Sequence, residues 1–242
     1  MSGHLGELFV KVCEVIIADR RIQAVLFDFD GTLADTAADL GNAMNSVLHA
    51  HGRVPLPLST LRPHTSQGAR GMIKASFGYG VDHADYAALK NEFLAVYEKT
   101  LLAHTRLFDG MQDVLDLLSA KHIAWGIITN KHSRFSIPIM QGLALGEQVL
   151  VCGDTTAHAK PHPEPLLYAA AKLGVAPECC AYVGDAGTDM QAAQAAGMLA
   201  IAAAWGFIPP GDSVDSWPFD LCCATPTELG TLLTSLKSNS LP

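Results

Sequence analysis

Six short apolar runs recur along the chain and restrict its architecture more than any other feature. They lie at Ala24–Phe27, 123–128, 148–152, 180–183, Leu199–Ala203 and, more weakly, Leu221–Cys223. Most are rich in Val, Ile or Ala, and all are too short for a core helix. A continuous apolar run of this length reads as a strand buried on both faces. The stretches between them carry helical periodicity. Residues 109–121 place Val114, Leu115, Leu117 and Leu118 on one side, and 165–173 and 188–196 behave similarly. Strands alternating with helices predict an α/β domain whose parallel sheet is covered by helices on both faces.

One segment breaks the alternation. From about Thr36 to His104 there is no convincing strand. Helical patterns at 37–51 and 86–102 are separated by turn signals at Pro55, Pro57, Pro63 and Gly78 to Gly80. An all-helical block placed after the first strand reads as an inserted cap. The expected organisation is therefore a core of residues 22–35 and 105–242, a helical cap at 36–104, and an extension at 1–21. In that extension, Lys11 and Glu14 interrupt the apolar residues from Leu8 to Ile17, which excludes a clean signal-peptide core and leaves a short amphipathic helix as the expectation. Residues 238–242 read as a frayed tail.

With 49% apolar and 17% charged residues, the 242-residue chain can bury a full core. A net charge of −8 opposes binding to nucleic acid or to anionic membranes, both of which require a basic face. No run approaches the length of a membrane span. Cys13, Cys152, Cys179, Cys180, Cys222 and Cys223 lack disulfide-framework or zinc spacing, so buried thiols in a reducing cytoplasm are expected. The ten histidines, His132, His158 and His162 among them, show no zinc-ligand pattern. The sequence is compatible with a monomer or a homodimer.

In an open parallel sheet, ligands bind where the strands end at their carboxyl side. The residues that follow successive runs are Asp28-Phe29-Asp30-Gly31-Thr32, then Thr129-Asn130-Lys131, then Asp154 and Thr155 with Lys160-Pro161 further on, then Gly184-Asp185 with Asp189. Carboxylates, a hydroxyl and an ammonium thus converge on one edge. Clustered acids raise each other's pKa unless a cation sits among them. Hard carboxylate oxygens without His or Cys suit magnesium, which in turn recruits phosphate oxygens. Plainer roles exist for some of these groups: Thr129 as a helix cap, Asp189 as a first-turn residue and Lys160 as a solvated lysine. Asp35 and Asp39 fit the start of the next helix.

The order of these motifs resembles the haloacid dehalogenase superfamily, subfamily I, whose members carry a helical cap on a Rossmann-like core. The matching residues are Asp28-x-Asp30-Gly31-Thr32, Thr129, Lys160 and Gly184-Asp185-x-x-x-Asp189. The resemblance implies a magnesium-dependent phosphomonoesterase acting on a small phosphorylated metabolite. Asp28 would be the nucleophile that forms an aspartyl-phosphate, and Asp30 the general acid and base. Thr129, Asn130 and Lys160 would bind the phosphoryl group. Asp28, Asp30 through its carbonyl, Asp185 and Asp189 would surround Mg2+.

Within this superfamily, residues 68–77, the stretch from Trp125 to Met140 and the Lys160-Pro161-His162-Pro163 loop are similar to bacterial phosphoglycolate phosphatases. They are especially similar to N-acetylmuramic acid 6-phosphate phosphatases, although His162 replaces the more usual Asp. Gly68-Ala69-Arg70-Gly71 is a candidate substrate loop, with Arg70 and Arg134 as anion clamps. The cap is expected to hinge near 34–36 and 104–108. A sugar phosphomutase is the alternative enzyme. A dehalogenase would not need Asp30, and a binding module would have no use for the intact acid set.

Overall fold

The computed structural model describes residues 15–17 and 20–234. A hairpin of β1 (Val15–Ile17) and β2 (Arg20–Ile22) leads into β3 (Ala24–Phe27). The short β4 (Ala34–Asp35) precedes the helices α1 (Ala37–Ala50), α2 (Leu58–Leu61), α3 (Gly68–Phe77) and α4 (Tyr86–Tyr97). The chain returns through β5 (Arg106–Leu107), which pairs antiparallel with β4. It then alternates through α5 (Met111–Ala120), β6 (Ala124–Ile128), α6 (Ser133–Gly142), β7 (Val149–Val151), α7 (Glu164–Leu173), β8 (Cys180–Gly184), α8 (Gly187–Ala195), β9 (Leu199–Ala203), β10 (Leu221–Cys223) and α9 (Pro226–Thr234).

The six-stranded sheet has the order β10-β9-β8-β3-β6-β7 with every pair parallel. Alternate residues of each strand enter different cores. Val25, Phe27, Ile127, Val183 and Ile201 pack on the face that carries α5 and α9, whereas Ala24, Leu26, Ile128, Tyr182 and Ala202 pack under α7 and α8. Both faces being dry, neither can host polar residues, which is why the strands read as unbroken apolar runs. Between β4 and β5, α1 packs chiefly on α4, and Leu40, Met44, Leu48, Phe93 and Tyr97 form its interior.

Several local expectations are corrected. The helix expected over the end of the N-terminal extension is, at 15–17, a strand, as suits the β-branched Val15-Ile16-Ile17; residues 1–14 and the expected frayed tail lie outside the described residues. Helix α6 has no counterpart in the sequence reading, because Pro138 sits inside it and masks the pattern. Its start is instead set by His132, whose ring nitrogen accepts from the Arg134 amide at 3.2 Å. The Gly68–Gly71 segment is the first turn of α3 rather than a loop. Only Gly68 has a left-handed backbone, φ +58, where a short 3-10 helix at Arg62–Gln67 hands over to α3. Among the cysteines, Cys222 is exposed and Cys179 half-buried, while Cys152, Cys180 and Cys223 are buried; all five are free.

Candidate active site

The register of the central strands gathers the site. Phe27 pairs with Ile127 on one side and with Val183 on the other. One residue later, Asp28 emerges between the ends of β6 and β8, its amide donating to the Val183 carbonyl at 2.8 Å. Thr129 and Asp185 follow the same two strands, so three functional side chains reach one edge without any long-range adjustment.

Lys160 lies at the centre of the group. Its Nζ is 2.7 Å from Asp28 Oδ1, 2.7 Å from Asp189 Oδ1, 2.7 Å from the Tyr182 hydroxyl and 2.9 Å from the Ile128 carbonyl. Burial works against its charge, but Asp189 and Asp28 more than reverse that and raise its pKa. Asn130 pins the lysine's backbone from both ends: its Nδ2 donates to the Lys160 carbonyl, and its Oδ1 accepts from the Lys160 amide, each at 3.0 Å. The side chain expected at the phosphate is thus engaged in positioning Lys160.

Asp28, Asp185 and Asp189 are buried, and one carboxylate oxygen from each lies within 4.8 Å of the others. Burial, moderated by Lys160, pushes Asp28 up to about 7. Burial and then the neighbouring Asp28 and Asp189 push Asp185 well above the usual carboxylate range. Three crowded acids, with the ionisation of Asp28 and Asp185 suppressed, are costly by themselves, and a hard divalent cation removes that cost. The donor set therefore fits magnesium. The three carboxylates are not equivalent. Asp189 already accepts from Lys160 and Tyr182 on one oxygen and from the Ala186 amide, at 3.0 Å, on the other. Among the described residues Asp28 is the freest of the three, accepting from Lys160 on Oδ1.

Glycines shape this floor. Gly31, at φ +92, lets the chain turn tightly after Asp30, and a Cβ there would overlap the Asp185 carboxylate. Thr32 donates to Asp185 Oδ1 at 3.1 Å, and the Phe207 amide donates to Oδ2 at 2.8 Å. Ser66, from the helical insert, lies 2.8 Å from that same Oδ2. The sequence carries no signal for Ser66 or Tyr182, since one stands in an unremarkable polar turn and the other in the middle of an apolar strand.

The Asp30 carboxylate stands apart from the three-acid group. Lys131 Nζ donates to its two oxygens at 2.7 and 2.9 Å, and Thr36 donates to Oδ1 at 2.6 Å. Thr129 is buried and its hydroxyl accepts from the Lys131 amide at 3.1 Å, which leaves its proton for another acceptor. Above these groups opens a cavity of about 1130 Å³, roofed by the helical insert and lined by Asp28, Asp30, Arg70, Tyr97, Thr129 and Arg134. Both arginines are exposed.

Residues 25–203 match the haloacid dehalogenase-like hydrolase family. The chain belongs to this family. It is 38% identical over 211 residues to the N-acetylmuramic acid 6-phosphate phosphatase of Pseudomonas aeruginosa, covering 86% of this chain and 93% of that protein. It is 42% identical over 209 residues to a phosphoglycolate phosphatase of Xanthomonas campestris pv. campestris, covering 86% and 94%. A crystal structure of a predicted phosphoglycolate phosphatase from Haemophilus somnus shares the fold, with a TM-score of 0.75 at 22% identity over 87% of this chain and 97% of that one. By its relatives and family the chain is a phosphoric monoester hydrolase. Among the described residues no helix is long and apolar enough to cross a membrane.

Proposed function

We propose that this chain hydrolyses an N-acetylated sugar phosphate bearing a carboxylate, N-acetylmuramic acid 6-phosphate, through an aspartyl-phosphate on Asp28. The observation that carries the chemistry is the buried Lys160 ammonium 2.7 Å from Asp28 Oδ1, beside two further carboxylates. The observation that favours the larger substrate is the size of the cavity. At about 1130 Å³ it exceeds the ~300–1,000 Å³ of common small-molecule sites and is far more than a two-carbon acid phosphate fills. The Pseudomonas relative carries the same activity by name. Arg70 and Arg134 at the cavity wall supply cations for the lactyl carboxylate.

In this mechanism an Asp28 oxygen attacks phosphorus as the bond to the sugar oxygen breaks. Asp30 gives that oxygen its proton. Water then attacks the acyl phosphate, Asp30 takes a proton from it, and phosphate leaves as Asp28 is restored. Lys160 neutralises charge on Asp28 and on the transferring group, and the Thr129 hydroxyl donates to a phosphoryl oxygen. Asp28 and Asp185, with the Asp30 carbonyl, would hold magnesium, which would supply charge stabilisation to the phosphoryl oxygens. Asp189 acts by holding Lys160. Free cysteines at Cys179 and Cys222, away from full burial, suit a reducing cytoplasm.

The test compares kcat/KM for N-acetylmuramic acid 6-phosphate and 2-phosphoglycolate with magnesium present. The sugar phosphate is expected to be preferred by at least about 10-fold, since its extra groups engage a pocket built for them. A preference for 2-phosphoglycolate would reverse the substrate assignment while leaving the Asp28 chemistry intact.

A further inference from the structure

Lys131 has no part in the scheme above, yet its side chain is only 9% exposed and its ammonium faces the acid-base group. Nζ reaches both Asp30 oxygens, at 2.7 and 2.9 Å. On its other side Nζ sits 5.0 Å from the centroid of the Tyr97 ring. Tyr97 ends α4, in the helical insert, and is 1% exposed, with a buried hydroxyl that meets no hydrogen-bond geometry among the described residues. Burial works against the Lys131 charge, but Asp30 more than offsets it. An ammonium held between a carboxylate and an aromatic face is fixed in direction, because both partners are worth most when desolvated.

We propose that Lys131 is the positioning residue of Asp30, and that Tyr97 links this positioning to the seating of the helical insert. The inference rests on Asp30 acting as the general acid and base. A carboxylate that must meet two different oxygens in succession, first of the leaving group and then of water, needs a defined orientation between the two events. Thr36 anchors only Oδ1. Lys131 contacts both oxygens and so fixes the carboxylate plane as well. The Lys131 amide also donates to Thr129 Oγ1. One residue thus orients the proton carrier with its side chain and a phosphoryl donor with its backbone.

The competing role is direct phosphate binding by Lys131. Leaving-group dependence separates the two. Alkyl phosphates need a proton delivered to the departing oxygen, whereas p-nitrophenyl phosphate departs as a stable anion and needs little help. The experiment measures kcat and KM of N-acetylmuramic acid 6-phosphate, 2-phosphoglycolate and p-nitrophenyl phosphate for the full chain and for Lys131→Met, Lys131→Arg, Tyr97→Leu and Asp30→Asn. In Lys131→Met, alkyl-phosphate kcat/KM, which reports formation of the aspartyl-phosphate alone, is expected to fall on the order of 100-fold, the lower end of a positioned acid's contribution, with little change in kcat/KM for the aryl ester; any fall in kcat common to all three esters reports the shared hydrolysis of the intermediate. Lys131→Arg restores most of the alkyl rate, and Tyr97→Leu shifts the alkyl-to-aryl ratio in the same direction as Lys131→Met by a smaller factor. The ratio is internal to each preparation, so partial misfolding cancels.

Equal loss of kcat/KM on all three esters would overturn the positioning role. An unchanged ratio in Tyr97→Leu would remove the link to the insert. If Asp30→Asn itself fails to discriminate between leaving groups, the fault lies with the Asp30 assignment instead.

Discussion

Asp28 is buried among like charges, and its carboxyl is pushed up to about 7 from 3.8, first by burial. Between those values the folded state retains a proton that the unfolded chain releases. Stability without a divalent cation therefore falls as pH rises from about 4 to about 7, the sign that follows when the native state binds more protons. A cation held by Asp28 and Asp185 displaces that proton and reverses the loss. Magnesium is accordingly expected to raise the Tm more at about pH 8 than at about pH 5, and thermal unfolding with and without the ion checks it. Equal shifts at both values would count against the cation sitting at Asp28. At this scale the sequence was legible where a polar residue followed an apolar run directly, as at Asp28 and Thr129, or after one glycine, as at Asp185. It was opaque for Tyr182, which bonds Lys160 from mid-strand, and for Ser66, whose contact with Asp185 spans 119 positions and exists only after folding. Lys131 stood in plain view beside Thr129, but sequence offers no sign that its side chain turns toward Asp30.

The two-residue ribbon of β4 and β5 carries both crossings between the core and the helical insert. Asp39, in the first turn of α1, secures it. Its Oδ2 accepts from the His104 and Thr105 amides and from the Thr105 hydroxyl at 3.0, 2.9 and 2.8 Å. Asp35 accepts from the Ala37 amide at 3.3 Å and pairs with Arg62 at 2.8 and 2.9 Å. Asp39→Ala leaves three donors unanswered, one of them on a buried side chain, and is expected to destabilise the fold by about 2 kcal/mol, part of the loss being offset because Oδ1 has no hydrogen-bond partner among the described residues. Urea unfolding measures it, and an unchanged midpoint would show that the crossing is held by other contacts. Six strands and the long amphipathic helices were readable because their periodicity is a direct consequence of two dry sheet faces. The β4–β5 ribbon was not, since two residues carry no period. Helix α6 was hidden by Pro138, and the β1–β2 hairpin by charged residues that also fit a helix.

Core and insert meet over the chemistry. Ser66 touches Asp185, Arg62 stacks 4.9 Å from the Phe207 ring, and Tyr97 faces Lys131, so the roof and floor of one cavity are tied at three points. In the proposed mechanism such a roof would exclude water while the acyl phosphate forms, and its opening would let product out. Two carboxylates lining this cavity lie 2.7 Å from the Lys160 ammonium, Asp28 and Asp189, and the register of β3 between β6 and β8 sets Asp28 at the end of the central strand. Acid quenching during steady turnover, followed by borohydride reduction and peptide mass mapping, tests that placement most directly. Reduction of an acyl phosphate converts the aspartate to homoserine. The expected result is homoserine at position 28 alone. Homoserine at another acid, or none at any position while substrate is being consumed, would contradict the account.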